Sequence, residues 1–529
     1  MIKIEASVPV SYNTETLKDE LLRHLPVEKS EIREIEIVKR ALDVKKEGEI
    51  KYKMTLAASF SPEREAGLLK MRKTVFPYER ARLEIPESNF ASQPVVVGSG
   101  PAGLFAALTL AKSGARPIVL ERGLPVDERK KKVDSFSRFR ILDAECNIQF
   151  GEGGAGTFSD GKLKSGAQDE FKNEVLSEFI EAGADGEIAY SVGAHLGTDK
   201  LVEIVKKIRE KIISLGGEFI FEARFIDFKA KDGKITTAVY EKHGKEYGIE
   251  TENIILALGH SASDTFRMLY DKGVIMEARG FGVGMRIEHR REYINELCYG
   301  KNAPSELGAA SYHLVTHLKN GRSVYSFCMC PGGTVVAATS EKEGIVTNGM
   351  SEHARNAENS NSALLVSVTP ADFESDSALA GLEYRRKIEK AAYLAAGADY
   401  SAPAIRLDAF LSGNGQSDFS EVKPSYPIGT KSVNPEAYFP GYITESLRAA
   451  LPDFDAWLPG FSYSAASLTG AETRSTSPVR ITRNERFEAL GFKGIIPIGE
   501  GAGYAGGIVS SARDGVRAAI SLIKSTRKI

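Results

Sequence analysis

A chain of 529 residues is too long for one core, so two or three domains are expected. Hydrophobic content of 42%, charged content of 26% and a net charge of −2 describe an ordinary globular protein, with no electrostatic case for nucleic acid or an anionic membrane as partner. Four cysteines make no disulfide framework and point to a reducing cytoplasm; the opening MIKIEASVPVSYN is no secretory signal, and no run reaches the roughly 18 to 20 apolar residues of a membrane span.

Residues 1–90 read as a separate small domain. Ile2–Val8 alternates as a strand and Thr14–Leu25 has helical spacing. Ile32–Asp43 and Glu49–Ser59 read as strands joined by the charged turn Lys45–Gly48, with a second helix over Pro62–Lys73 and a last strand over Ala81–Ile85. This βαββαβ order predicts a ferredoxin-like sandwich acting as a docking or lid module. Pro86–Pro94 has linker composition.

The segment 95–123 then reads strand, glycine turn, helix, strand. Val95–Val97 suits a parallel strand buried on both faces. In Gly98-Ser-Gly100-Pro101-Ala102-Gly103, Gly98 permits a sharp turn, Gly100 leaves room for a pyrophosphate and Gly103 lets the helix lie close to the strand. The helix N-terminus offers free N–H groups to an anion. Pro117–Leu120 is the second strand, and Glu121, followed by Arg122, lies about twenty residues past the glycines, where an acid accepts from an adenosine ribose. Dinucleotide binding is the expectation; glycines used only for packing are the alternative.

A glycine-dense loop follows at Phe150–Lys162, with Gly153 and Gly154 at its centre, suited to bringing backbone close to a large flat ligand. Asp199–Leu215 is an amphipathic helix capped by Thr198. Glu218–Ala230, Ile235–Glu241 and Tyr247–Leu258 read as a three-stranded meander ending at Ala257-Leu258-Gly259. Residues 275–485 shift to mixed strands and polar loops. The tail returns to the opening style, with a strand over Gly494–Glu500, glycines from Gly501 to Gly507, Ile508, and a helix from about Ser510. Too few residues follow for a second roughly 30-residue nucleotide unit, so these glycines are expected to seat the same ligand on the last helix's N-terminus.

The order of fingerprint, meander, Ala-Leu-Gly, long insert and Gly-Glu-Gly resembles the FAD-binding fold of the glutathione-reductase superfamily. That resemblance implies FAD as cofactor, adenine at the backbone of Phe225, Ala257 and Gly259 at the return to the core, and Gly499-Glu500 at the ribityl chain, where the superfamily has Gly-Asp. At closer range the chain resembles the bacterial FAD-dependent dehydrogenases called NAD(FAD)-utilising dehydrogenases. The residues that carry this are Phe158–Leu163, His195–Asp199, Gly259–Ala262, Arg286–His289, Phe327–Gly333, Thr347–Ser351, Asn359–Ser362, Glu472–Arg474 and Ser477–Arg480. The implied architecture is α/β: a Rossmann-like FAD-binding domain split over 91–274 and 486–529, a large mixed α+β substrate domain over 275–485, and the ferredoxin-like domain in front. The implied activity is an FAD-dependent oxidoreductase, a dehydrogenase or reductase, acting on a small molecule, with any NAD(P)H donor docking transiently. An NAD(P)H-using flavin monooxygenase and a sensory flavoprotein whose first domain binds a partner stay open beside it, and the oligomeric state is not set.

The flavin would carry the electrons, leaving protein groups to position substrate and move protons. His260 and His195 are candidates to protonate substrate or stabilise a flavin anion, against a plain loop-fixing role. Lys162 is a candidate to neutralise reduced flavin, or is simply solvated. Cys328 and Cys330 alternate on a strand over Ser323–Cys330, which puts both thiols on one face; Pro331–Gly333 then turns into Thr334–Thr339 as a hairpin. Cys330 is a redox candidate, two buried hydrophobic thiols the alternative. His313 and His317 sit on an alternating stretch, roughly 13 Å apart at about 3.3 Å per residue, and no metal site is expected. If two or more of Arg286, Arg355, Arg474 and Arg480 converge over the flavin, the substrate is anionic, with Arg286, Arg474 and Arg480 as its binding residues.

Overall fold

The computed structural model describes residues 1–44, 50–71, 74–163, 169–414 and 417–526. At its centre five strands run parallel in the order Ile495–Pro497, Ile254–Leu256, Val95–Val97, Ile118–Glu121, Glu218–Phe221. Nearly every residue of the inner strands is apolar because both faces are covered. Val96, Val119, Ile255 and Ile496 face the helices Pro101–Lys112, Thr198–Ser214 and Ile508–Thr526. Val95, Val97, Ile118, Leu120, Ile254 and Leu256 face a three-stranded antiparallel sheet made of Arg224–Lys231, Lys234–Lys242 and Lys245–Glu250.

The meander therefore differs from its sequence reading. Glu218–Ala230 is two strands, not one: the chain breaks at Glu222, whose φ is +57°, and the Ala223 amide donates to the Glu121 carbonyl at 2.9 Å. Its first half extends the parallel sheet and its second half opens the antiparallel one. Tyr247–Leu258 divides likewise around Thr251, whose hydroxyl donates to the Gln93 carbonyl at 2.8 Å and leaves Ile254–Leu256 to join the parallel sheet.

The N-terminal unit is an antiparallel sheet in the order Glu34–Asp43, Lys51–Ser59, Ile2–Pro9, Phe76–Pro77, with Leu17, Leu21 and Leu68 of two helices packed on it. The expected strand at Ala81–Ile85 does not form. Leu83 and Ile85 pack instead against the core beside the parallel sheet, and the two-residue strand Phe76–Pro77 takes the edge position. The second helix ends at Leu68, and the turn Lys45–Gly48 lies outside the described residues. Arg40 fastens this unit to the rest: it donates to Tyr12 at 2.7 Å, pairs with Glu187 and lies over the rings of Tyr52 and Tyr190.

Residues 276–481 are framed by an antiparallel ribbon of Met276–Ala278 and Val479–Ile481. Between them a seven-stranded sheet runs Val315–His317, Ser323–Cys330, Asn359–Val368, Phe281–Arg290, Ser467–Glu472, Ala402–Arg406, Thr430–Ser432. Apolar residues of the helices Ala380–Ala395 and Gly441–Trp457 cluster with it. The expected hairpin is not made. Thr334–Ala337 pairs with Thr347–Met350 instead, and Gly332 tucks under the Arg355 carbonyl, where a Cβ would stand 1.8 Å from that oxygen. Among the described residues no helix is long and apolar enough to cross a membrane.

Candidate active site

A cavity of about 610 Å³ opens at the carboxyl ends of the parallel strands and reaches the seven-stranded sheet. That is where an open α/β sheet has a crevice for a ligand. Its floor is main chain. Gly98 turns at φ +97°, and a Cβ there would meet the Ala257 carbonyl at 2.4 Å. Gly100 faces Gly154, the nearest atom to a Cβ at Gly100 being the Gly154 Cα at 3.7 Å. The helix Pro101–Lys112 starts here with Gly100 as N-cap and no side-chain cap, so its first amides are left for an incoming anion. A second helix N-terminus, at Gly507 and Ile508, reaches the same cavity.

Of the sequence-predicted cofactor residues, Gly98, Gly100, Pro101, Ala102, Glu121, Arg122, Gly154, Phe225, Ala257, Gly259, Glu500, Gly507 and Ile508 all line this one cavity. Gly103, Gly153 and Gly499 do not; they act through packing. A Cβ on Gly103 would meet the Gly98 carbonyl at 1.9 Å, on Gly153 the Thr157 hydroxyl at 2.0 Å, and on Gly499 the Ala102 Cβ at 2.7 Å. Arg122 is held by Glu145 and Asp264 and stacks over Phe150.

Glu121 is not a free acceptor. Its Oε2 accepts from the Ser99 amide (2.9 Å) and hydroxyl (2.6 Å), and its Oε1 from the amides of Gly123 (2.9 Å) and Gly151 (3.0 Å). All four lone pairs are used, so the carboxylate ties the glycine turn to the Phe150 loop, and a ribose hydroxyl gains room only if the Ser99 hydroxyl rotates away. Glu500 is the opposite case. Among the described residues its carboxylate has no partner, and burial pushes it up to about 8.

The catalytic candidates separate. His260 lines the cavity, with Nδ1 3.0 Å from the Ser261 hydroxyl; burial, with Arg385 and Arg474 nearby, pushes it down to about 3, so it is neutral. His195 does not line the cavity. Its Nε2 lies 3.0 Å from the His353 carbonyl, its ring stacks on His353, burial holds it near 4, and its backbone bridges to Lys162. Lys162 does line the cavity, and its ammonium donates to the Met329 carbonyl.

The strand that carries the two thiols is not regular. Against Asn359–Val368 the register slips between Phe327 and Cys330, and Cys328 sits in that bulge at φ +40°. Both thiols line the cavity; Cys328 is the exposed one, and Cys330 is buried, donating to the Cys328 carbonyl at 3.2 Å. Burial pushes Cys328 up to about 12 and raises Cys330 too, so both are protonated thiols at neutral pH.

The arginines are the main correction. Arg286 is fully buried and forms a two-point pair with Glu472 (2.6 and 2.8 Å), donating also to Asn361, Asn348 and the Cys328 carbonyl. Arg474 is spent on Glu389 and Glu341, Arg355 on Asp160, and Arg480 stacks over Tyr504 away from the cavity wall. No cluster of free guanidinium groups among the described residues covers the site, so the anionic substrate expected from their convergence loses that basis. Residues the sequence reading passed over include Ser99, Gln149, Phe327 and Asn348, which line the cavity from four separate segments and carry no spacing signal. His313 also lines it, whereas His317 is turned to Ser323 (2.8 Å).

One pH effect follows. His260, His195 and His289 have folded values near 3, 4 and 4, below the ordinary histidine value, so the unfolded chain binds more protons as pH falls. Their contribution to stability is complete above about pH 6.5 and drains away toward pH 4. Denaturation midpoints between pH 7.5 and 4.5 are expected to fall steadily, with a shallower slope in His260→Gln.

The FAD binding domain family matches residues 93–127, and the family described as "FAD-dependent protein, C-terminal domain-like" matches residues 280–475. An uncharacterised protein of Clostridium beijerinckii is 42% identical over 514 residues, covering 96% of each chain. Among solved structures, a 3-ketosteroid-Δ4-(5α)-dehydrogenase of Rhodococcus jostii RHA1 is 14% identical, with 85% of this chain and 100% of that one covered at a TM-score of 0.36. A mutant FrdA of E. coli quinol fumarate reductase is 10% identical, with 82% and 70% covered at a TM-score of 0.37.

Proposed function

Since this chain belongs to the same family as its uncharacterised Clostridium beijerinckii relative and is an FAD-dependent oxidoreductase, we propose that FAD lies along the crevice just described and that substrate meets it under the seven-stranded sheet. The observation that carries this placement is the bare main-chain floor at a helix mouth, where even a Cβ on Gly100 would meet nothing closer than the Gly154 Cα at 3.7 Å. The diphosphate would rest there and on the amides at the start of the helix Pro101–Lys112. The adenosine would lie along Glu121, Arg122, Phe225, Ala257 and Gly259. Glu500, without a protein partner among the described residues and raised to about 8, suits the ribityl hydroxyls because a protonated carboxyl both donates and accepts. The ring end would meet Gly507 and Ile508, whose helix N-terminus favours negative charge.

On this reading the chain is a Rossmann-like, glutathione-reductase-type FAD domain (91–274 and 486–529) with a substrate domain over 275–485 and a ferredoxin-like domain over 1–90. It is a cytoplasmic enzyme for a small molecule; its four cysteines are all free. When bound, FAD supplies the hydride and electron chemistry. The chain's own groups hold it, keep His260 neutral and enclose the reacting face. A nicotinamide donor would dock transiently at the mouth of the cavity. Purification tests the reading: the protein is expected to be yellow, to release FAD on denaturation and to bleach with a reductant. A colourless protein that takes up no added FAD would overturn it.

A further inference from the structure

Lys162 stands out from every other cation at this cavity. Its ammonium has three hydrogens, and among the described residues only one acceptor, the Met329 carbonyl, is hydrogen-bonded to it. The carboxylate that acts on it is Asp160, two residues back, which is not hydrogen-bonded to it and is already engaged. Its oxygens accept from Arg355 Nε (3.0 Å) and Nη2 (2.5 Å) and from the Ser351 hydroxyl. Residues 164–168, which follow closely in the chain, contain no acid. The thiols beside it are uncharged, because burial raises both Cys328 and Cys330.

The surrounding charges cancel in pairs: Arg286 with Glu472, Arg474 with Glu389, Arg355 with Asp160. Burial draws the Lys162 ammonium below the ordinary lysine value, and this one cation with two unspent N–H groups is what remains on the wall among the described residues. An ammonium held in an enclosed site without a counter-charge is costly, and a ligand that supplies one negative oxygen removes that cost. The neighbouring wall is weakly polar, formed by Phe327, Cys328, Met329 and Asn348. A second negative charge would find no free cation among these residues. The ring end of the crevice has its own positive pole in the helix that starts at Ile508, so Lys162 is not needed for that purpose.

We propose that Lys162 is the substrate anchor of this site and that the substrate is a monoanion, a small carboxylate on an apolar body. This rests on the flavin placement above.

The test uses the FAD-loaded enzyme and three probes, benzoate, its uncharged isostere benzamide and the dianion phthalate, followed through the change each causes in the flavin absorbance. Benzoate is expected to bind more tightly than benzamide, and phthalate no more tightly than benzoate. Lys162→Gln, which keeps a donor for the Met329 carbonyl, and Lys162→Met should weaken benzoate by about tenfold or more, the size of one charge-assisted hydrogen bond, while benzamide is unchanged and Lys162→Arg keeps most of the affinity. Flavin content is measured first. A wild-type protein without FAD would mean that the flavin reading has failed. With FAD present, the proposal is overturned if wild type fails to bind benzoate, if Lys162→Gln binds it equally well, or if phthalate binds more tightly. It is overturned too if Lys162→Gln sheds FAD while Lys162→Arg keeps it, which would give the ammonium to the cofactor.

Discussion

Gly100→Asp is expected to give a protein that folds normally and carries less than about a tenth of the wild-type FAD, because like charges brought together cost several kcal/mol. The structure separates the two halves of this expectation. Gly100 has φ −71° and ψ −179°, which any residue adopts, and a Cβ there makes only an ordinary contact, 3.7 Å from Gly154. Aspartate is moreover a favoured N-cap, so the ligand-free fold should hold its stability to within about 1 kcal/mol. The new carboxylate would stand where the diphosphate has to rest, repelling it and competing for the same amides. Gly98→Ala and Gly103→Ala make the contrast, since their Cβ atoms would lie 2.4 Å from the Ala257 carbonyl and 1.9 Å from the Gly98 carbonyl. Those two should lose flavin together with stability. Flavin per polypeptide and the melting temperature of the ligand-free protein distinguish the cases, and a fully yellow Gly100→Asp protein would refute the placement.

That glycine turn was legible from sequence because its physics is local. The strand, the turn, the helix start and the acid after the next strand all fall within Val95–Gly123, and each residue type answers to its immediate neighbours. What escaped was set by partners far along the chain. Nothing near Cys328 announces a bulge; it arises because Phe327 pairs with Ala363 and Cys330 with Asn361, leaving an extra residue on one strand. The meander's breaks at Glu222 and Thr251 depend on the Glu121 and Gln93 carbonyls, which periodicity cannot see. Glu121 lines the cavity, but its protein donors carry no periodic signal: Ser99 in the glycine turn, Gly123 two residues on and Gly151 in the distant loop. The arginines were misread for the same reason. Arg286 and Glu472 are 186 positions apart, and only the sheet brings them together.

That last pair carries the other large effect. Arg286→Met is expected to destabilise the protein by about 3–5 kcal/mol, the usual consequence of removing one member of a buried ion pair. Arg286 and Glu472 are both buried, and the guanidinium also donates to Asn361 and Asn348, at 2.9 Å each. With its bond to the Cys328 carbonyl it thus pins five strands, Phe281–Arg290, Ser323–Cys330, Thr347–Met350, Asn359–Val368 and Ser467–Glu472, at one point beneath the cavity. Without it the Glu472 carboxylate, which burial already raises, is left uncompensated and would take up a proton. Replacing both residues removes the stranded charge, so Arg286→Met/Glu472→Met should recover a substantial part of the loss, and the double-mutant cycle should show strong coupling. A substrate-binding arginine would behave differently: its removal would raise KM and leave unfolding untouched. Denaturant melts of the two single variants and the double variant decide the matter, and an Arg286→Met protein as stable as wild type would return this residue to the substrate site.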